Sequence, residues 1–119
     1  MVQNRSVVDV LDNSGVQKVR VIQVKGQKKF GGVGDQLIGS AIKVRPDSRF
    51  KKGDLVKGLI VQTRKNAQSG AIQIKFNRNS CVILTNKGDP VGSRINGVIP
   101  NILRSRGHSR ILILARKRI

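Results

Sequence analysis

The sequence contains no glutamate, so its acidic side chains are six aspartates set against 24 Lys and Arg residues. The formal net charge is therefore +18 on 119 residues. Five of the six Asp lie beside turn-forming residues, where a carboxylate accepts backbone hydrogen bonds, and Asp9 alone lies inside an expected strand. Because so little acid remains to neutralise the basic groups internally, the counter-charge must come from an external polyanion.

Other residue types are scarce, and each shortage excludes a class of protein. Trp and Tyr are absent and aromatic content is 3%, which argues against a sheet that stacks single-stranded bases. One cysteine, Cys81, excludes an intrachain disulfide framework and a multi-Cys zinc site. The longest apolar runs, such as residues 111–115, are too short to cross a bilayer, and the first five residues lack a signal-peptide apolar region.

Catalytic groups are equally scarce, and we predict neither an enzyme nor a bound metal or cofactor. The single histidine, His108, lies between two arginines and is interpreted as a turn residue or a phosphate neighbour. Cys81 lies in an apolar strand and is interpreted as a small core residue. Residues 31–35 (GGVGD) resemble a phosphate cradle superficially, but no Gly-Lys-Ser or Gly-Lys-Thr follows, so a plain loop is the better interpretation.

The residues that are abundant indicate short strands separated by Gly- and Asp-bearing turns. Hydrophobic content of 38%, mostly Val, Ile and Leu, supports one folded domain over residues 1–119. Many short strands at close spacing favour a small barrel over a layered α/β domain. We predict a hairpin tip at 65–70, a helical turn at 101–106 and an extended segment at 110–115. The predicted strands are residues 6–11, 18–25, 38–44, 55–64, 72–76 and 81–84.

Two of these strands have unusual apolar patterns. In residues 18–25 the apolar side chains change face, from Val19 and Val21 to Ile22 and Val24, as a bulge or a barrel crossing would produce. Residues 55–64 are nearly continuously apolar, which is typical of a strand that is covered on both faces.

The strand at residues 38–44 has a simpler pattern. Ile38, Ser40, Ile42 and Val44 are predicted to share one face, with Lys43 on the other.

Basic residues are distributed over loops and outward strand faces, and their number favours binding to phosphates and grooves of a structured nucleic acid. No basic helix suited to a major groove is apparent, so folded RNA fits better than sequence-specific DNA. Residues 90–119 contain no acid. The candidate RNA-contacting residues are Lys43, Arg45, Arg49, Lys51, Lys52 and Lys57, together with Arg64 and Lys65 at the neighbouring hairpin.

Short blocks, in order and over essentially the whole chain, carry a family resemblance. They are VLDNSG at 10–15, GVGD at 32–35, KKGDLVKGLIV at 51–61, Phe76, Asn79, CVIL at 81–84, GSRING at 92–97 and LR at 103–104. Together the blocks resemble the universal large-subunit ribosomal protein family known as L fourteen. The resemblance implies an all-β fold: a small closed five-stranded β-barrel with a short C-terminal helical and loop portion.

The resemblance also implies a function in translation, as a structural constituent of the large ribosomal subunit that binds its rRNA and forms intersubunit bridges with small-subunit rRNA. The implied neighbours are the large-subunit proteins numbered three and nineteen in the bacterial scheme, and a ribosome-silencing factor. The turn at 51–54 and the hairpin at Arg64 and Lys65 are implied RNA contacts. The implied intersubunit and silencing-factor surface comprises Ser93, Arg94, Arg104 and Arg110.

The sequence departs from the family pattern in places. The hairpin between Val61 and Phe76 is slightly short, and Arg116, Lys117 and Arg118 stand where acidic residues are usual. The absence of Glu and the basic, Ile-rich composition indicate an organellar, mitochondrial version, with a bacterial or plastid origin as the alternative.

Two further functions stay open at this point. One is a free RNA-binding barrel that serves as a translation or RNA-maintenance factor. The other is a phosphate-processing enzyme that uses Asp12, Asp35 or Asp54, which the position of these acids in turns disfavours.

Overall fold

Nine strands and two short helices make up the part of the chain that the computed structural model describes, namely residues 2–26, 29–64, 67–69, 72–74 and 76–119. In chain order the elements are β1 (Val7–Val10), β2 (Val16–Val24), β3 (Gln36–Val44), β4 (Leu55–Gln62), β5 (Ala67–Ser69), β6 (Ile72–Ile74), β7 (Ser80–Leu84), β8 (Ile95–Ile99), α1 (Ile102–Ser105), α2 (Ser109–Leu114) and β9 (Ala115–Arg118).

Five of the strands close into a barrel in the order β1-β2-β3-β4-β7. Neighbouring strands are antiparallel except at the closure, where β1 and β7 are parallel and Val10 is registered with Cys81. Closure leaves no free sheet edge among these strands, which satisfies their backbone polar groups without a further partner. The predicted closed five-stranded barrel is confirmed.

A bulge in β2 explains why its apolar pattern changes face. The register with β3 shifts between Val21 and Gln23, so Val21 and Val24 both enter the core although they are three residues apart. Ile22 is left on the outside with about half of its surface exposed. The predicted bulge therefore lies at Ile22.

The inward face of β3 is not the face that its large apolar residues suggest. Leu37, Gly39 and Ala41 are buried, whereas Ile38 is exposed. Gly39 is needed because a Cβ there would lie 2.5 Å from the carbonyl oxygen of Arg20 on β2. The close approach of the two backbones, which a hydrophobicity pattern does not register, therefore requires glycine at position 39.

Strands β4 and β7 are covered on both faces, as the continuous apolar run in 55–64 predicted. Val56 and Ile60 of β4 point into the barrel, where residues of all five barrel strands meet in one apolar cluster. Leu59 and Val61 point outward into a second cluster, which the C-terminal portion of the chain completes. The alternation along β7 is the same, with Cys81 inside and Val82 outside.

The C-terminal portion packs over the outer face of β4 and β7. Helix α1 lies at the predicted helical turn, but the prediction of an extended segment at 110–115 is wrong, because residues 109–114 form α2. Consecutive burial of Ile111 and Leu112, with Ile113 exposed, suits a helix lying on an apolar surface rather than a strand. Strand β9 follows and pairs in parallel with β8, which the sequence analysis did not predict.

The hairpin between β4 and β7 also differs from its prediction. Strands β5 and β6 form a separate antiparallel pair, with Ala67 registered with Ile74. The predicted tip at 65–70 therefore contains a strand. Three-residue strands carry too little pattern to be recognised.

Asp12 is a buried carboxylate that connects two parts of the fold. Its Oδ1 accepts hydrogen bonds from the backbone N–H (3.2 Å) and the hydroxyl (2.7 Å) of Ser14, and its Oδ2 accepts one from the N–H of Ile83 at 3.0 Å. Burial raises the pKa of Asp12 above its ordinary value of 3.8, and these hydrogen bonds oppose that rise. The carboxylate thus fixes the turn after β1 against β7.

Neither helix in the described ranges has the length and apolar character of a membrane-spanning segment.

The packing of α2 is testable by a matched pair of substitutions. Leu112→Ala should lower the free energy of unfolding by about 2–5 kcal/mol, because it opens a cavity under a side chain that is 1% exposed. The control Ile113→Ala, at a side chain 75% exposed, should change it by less than about 0.5 kcal/mol. Urea denaturation measures both; equal effects would contradict the packing of this helix.

Asp12 gives a pH-dependent prediction. Asp12→Ala should destabilise the fold by about 1–3 kcal/mol near neutral pH, since it leaves the buried N–H of Ile83 without its acceptor. Because the folded pKa is raised, the folded state binds the proton more tightly than the unfolded state between 3.8 and the raised pKa. The stabilising contribution of Asp12 therefore falls as pH rises through that interval.

The stability gap between wild type and Asp12→Ala should accordingly be widest at low pH and narrow as pH rises. Urea denaturation over a pH series measures the gap, with the exposed Asp47→Ala as control. A gap that widens with rising pH would show that burial does not dominate the titration of Asp12.

Candidate nucleic-acid interface

Three connections meet at one end of the barrel, which we call the loop end. They are residues 11–15 between β1 and β2, residues 45–54 between β3 and β4, and residues 85–94 after β7. Strand directions require this meeting, because β1 and β7 run parallel while β2, β3 and β4 alternate. Most of the predicted RNA-contacting cations and the predicted intersubunit pair Ser93 and Arg94 therefore lie at the same end.

The 45–54 connection is anchored at its start to the 11–15 turn. The N–H of Arg45 donates to the carbonyl oxygen of Gly15 at 2.9 Å. Gly15 has a φ of +104°, and a Cβ there would collide with the hydroxyl of Ser48, so glycine is required for the contact. Phe50 packs against the barrel core, and the guanidinium of Arg49 lies 5.6 Å from its ring centroid.

A tight turn at 51–54 presents two lysines to solvent. The N–H of Lys51 donates to the carboxylate of Asp54 at 2.8 Å, and the N–H of Gly53 donates to the carbonyl of Ala41 at 2.7 Å. Gly53 has a φ of +94°, which a turn residue with a side chain would adopt only under strain. The backbone is thus fixed by its own hydrogen bonds, and the side chains of Lys51 and Lys52 stay exposed.

Asn13 holds the segment that contains Ser93 and Arg94. Its amide nitrogen donates to the hydroxyl of Ser93 at 2.9 Å, and its carbonyl oxygen accepts from the N–H groups of Ser93 (2.8 Å) and Arg94 (3.3 Å). A Cβ on Gly92 would lie 2.7 Å from that oxygen. Both predicted intersubunit residues are therefore on a fixed backbone, with exposed side chains.

Two adjoining clefts at the loop end bring the predicted residues together. One, of about 440 Å³, is lined by Arg45 and Arg49 on one side and Ser93 on the other. The second, of about 300 Å³, is lined by Lys43 and Arg45. We call the following set the loop-end surface: Lys18, Lys43, Arg45, Arg49, Lys51, Lys52, Arg78, Ser93 and Arg94.

Lys18 and Arg78 belong to this surface although no sequence pattern singled them out. Arg78 precedes β7, at the end of that strand away from the 85–94 connection, and still lines the second cleft. Lys18 on β2 is registered with Lys43 on β3, and both line the second cleft with Arg78. Like charges directly opposite each other on a sheet destabilise it, so this arrangement favours an anion between them. The ion pair of Arg78 with Asp9, at 4.0 Å, offsets the repulsion only in part.

The other predicted RNA contacts do not belong to these two clefts. Lys57 lines a groove on the outside of the barrel, beside the loop end, which Leu55 and Arg49 also line. Arg64 lies at the opposite end, where its N–H donates to the side-chain oxygen of Asn79 at 2.9 Å. Lys65 lies outside the described residues. The spacing of Arg64 from the 45–54 connection along the chain did not reveal this separation. Strand β4 runs the length of the barrel between them, so the two lie at opposite ends.

The remaining two predicted intersubunit residues are on the C-terminal helices. Arg110 of α2 forms an ion pair with Asp89, which attaches α2 to the 85–94 connection near Ser93 and Arg94. Arg104 of α1 lines a different groove with residues of β9. Three of the four residues are thus at or beside the loop end, and Arg104 is not.

The aspartates proposed for the enzyme hypothesis are used by turns. Asp35 accepts a hydrogen bond from the N–H of Gly32 at 2.8 Å, and Asp54 and Asp12 bind backbone groups as described above. Burial raises the pKa of Cys81, which keeps its thiol protonated. Within the described ranges, no three His, Cys or Asp side chains are grouped as metal ligands.

Comparison with known protein families gives a match over the full length of the sequence. Residues 1–119, the whole chain, match the family model described as ribosomal protein L14p/L23e.

Proposed function

The chain belongs to the ribosomal protein L14p/L23e family, and we propose that it binds large-subunit rRNA through the loop-end surface. Membership makes it a structural protein of the large ribosomal subunit that serves translation, in a family whose members are not enzymes. The sequence resemblance is confirmed at this level. The contacts that follow are our proposals.

The observation that carries the RNA-binding proposal is the concentration of cations on a fixed backbone at the loop end. Lys18, Lys43, Arg45 and Arg78 line one cleft of about 300 Å³. The carboxylate of Asp12, which also lines it, accepts backbone hydrogen bonds, and Asp9 pairs with Arg78, at 4.0 Å. Cations on a fixed backbone bind a phosphate at a smaller entropic cost than cations on a mobile loop, because less loop freedom is lost on binding. Phosphates between these side chains relieve their mutual repulsion.

The surface suits the backbone of folded RNA. Exposed aromatic rings at the loop end are few, so base stacking contributes little, and Lys and Arg reach phosphates irrespective of base identity. Neutralising about 8 phosphates gives a salt slope of about −6 to −7, which makes the binding strongly dependent on ionic strength.

We propose that Ser93 and Arg94, with Arg110 beside them, face small-subunit rRNA and can instead receive a ribosome-silencing factor. Asn13 fixes the backbone of the first two, and Asp89 fixes the side chain of Arg110. Because Arg45 and Arg49 line the same cleft as Ser93, contacts to the two subunits share one end of the barrel. Arg104 is proposed as a more distant part of this face.

A protein neighbour is proposed for the outer groove beside the loop end. The groove, of about 560 Å³, is lined by Ile38, Phe50, Leu55 and Val91, and Leu55 is 70% exposed. Exposed apolar side chains grouped in this way are typical of protein contacts. The large-subunit proteins numbered three and nineteen in the bacterial scheme are the proposed partners.

We further propose that residues 1–119 act as a single domain, since the two apolar clusters share β4 and β7. The composition without Glu supports a mitochondrial ribosome as the location, ahead of a bacterial or plastid one.

Charge reversal at the 51–54 turn tests the rRNA contact. Lys51→Glu with Lys52→Glu should lower affinity for structured RNA about tenfold or more near 0.15 M salt, and should reduce occupancy in purified large subunits. Wild type should be present at about one copy per particle. The matched control is Arg5→Glu with Lys25→Glu, two exposed positions away from the loop-end surface.

Equal occupancy for both double variants would contradict the assignment of the loop end. A wild-type chain that is substoichiometric and exchanges freely would instead favour the free RNA-binding factor.

Arg94→Glu tests the intersubunit contact. Large subunits should assemble with the variant, while their joining to small subunits should weaken measurably at low magnesium in sucrose gradients, because a carboxylate then faces phosphate. Arg94→Lys, which keeps the charge, should join nearly as well as wild type. Unaltered joining by Arg94→Glu would remove Arg94 from the interface.

A further inference from the structure

A second group of cations lies away from the loop end, in a groove of about 750 Å³ formed by the C-terminal portion of the chain. We call it the C-terminal groove. Its lining residues are Val98, Asn101, Arg104, Arg116, Lys117, Arg118 and Ile119. None of them belongs to the loop-end surface, so any ligand of the groove makes contacts of its own.

The backbone beneath these cations is fixed. Strand β9 pairs in parallel with β8, with Val98 registered with Lys117 and Ile99 with Arg118. The N–H of Asn101 donates to the carbonyl oxygen of Ile119 at 2.7 Å, and the N–H of Ile119 donates to that of Ile99 at 2.9 Å. Pairing of β9 thus places three consecutive basic residues beside Arg104 of α1.

The charged side chains that line the groove are all of one sign. Its lining includes four basic side chains and no acidic side chain. The ion pairs found among the described residues join Arg78 to Asp9 and Arg110 to Asp89, and neither involves the groove. Four cations held close together without an acidic partner repel one another, which favours a multivalent anion.

The side chains favour a phosphate backbone over an acidic protein. Three of the four cations are arginines, whose planar guanidinium group can donate two parallel N–H hydrogen bonds to the oxygens of one phosphate. The basic side chains of β9 also discourage a protein strand from pairing beside it. Exposed apolar surface in the lining is limited to the side chains of Ile119 and half-buried Val98, which is little for a protein to bury.

We propose that the C-terminal groove is a second binding site for the phosphate backbone of structured RNA, separate from the loop-end surface. It adds to the proposed rRNA binding a contact of the same ligand class on the opposite side of the β4–β7 layer from the barrel core. Arg116, Lys117 and Arg118 approach the phosphates from β9, and Arg104 approaches them from α1.

The test compares three variants of the full chain from which equal charge is removed. The groove variant is Arg116→Gln, Lys117→Gln and Arg118→Gln. The loop-end variant is Arg49→Gln, Lys51→Gln and Lys52→Gln. The control is Arg5→Gln, Arg20→Gln and Lys25→Gln, which are exposed positions outside both surfaces. Binding to a duplex RNA hairpin of about 16 base pairs is measured over a salt series.

The groove variant should lower the magnitude of the salt slope by about 2 to 3, as expected for loss of three phosphate contacts, whereas the control should lower it by less than about 1. Because the two surfaces share no residues, the effects of the groove and loop-end substitutions should add in the combined variant. Thermal unfolding without RNA checks that β9 still folds.

The proposal is overturned if the groove variant has the slope of the control. If that variant binds RNA like the control and yet is lost from large subunits, the groove binds a protein, which also overturns it. Failure of the loop-end variant to differ from the control would instead reject the proposed function, so the two failures are distinguishable.

Discussion

Burial of β4 and β7 on both faces is the constraint on which the rest of the structure depends. Their inward residues, such as Ile60 and Ile83, complete the barrel core. Their outward residues, such as Leu59 and Val82, form the apolar outer surface on which α1, α2 and β8 pack. Each of these strands therefore stabilises two apolar clusters at once. The C-terminal groove exists because α1 and β8 pack on this apolar outer surface and β9 pairs with β8.

The same constraint determines where charge lies. Because the barrel interior and the outer surface of β4 and β7 are both apolar, Lys and Arg lie on loops, at outward strand positions, at exposed helix positions and on β9. The aspartates neutralise few of them. Asp12, Asp35 and Asp54 accept hydrogen bonds from backbone groups, and Asp9 and Asp89 each pair with one arginine. A net charge of +18 then remains on the surface, and a partner that supplies phosphates offsets its repulsion.

Much of the fold was predictable from local pattern. The bulge at Ile22 follows from an apolar pattern that changes face, and the two-sided burial of β4 follows from an uninterrupted apolar run. Helix α2 was mispredicted because residues 110–115 have strand-like propensity. Packing of Ile111 and Leu112 on the apolar outer surface of β4 and β7 overrides that propensity. The requirement for glycine at position 39 was not predicted, because the close approach of β2 and β3 leaves no mark in a hydrophobicity pattern.

The sequence by itself determined the family and, through the family, the barrel, because ordered motifs are a property of the chain. Its charge and composition favour an anionic ligand. Only the tertiary structure decided which cations act together. It joined Lys43 to Lys18 and Arg78, joined Arg45 to Ser93, and sent Arg64 to the opposite end. The physical reason is that barrel closure and strand direction set distances between residues that are far apart in sequence, and no local pattern encodes those distances.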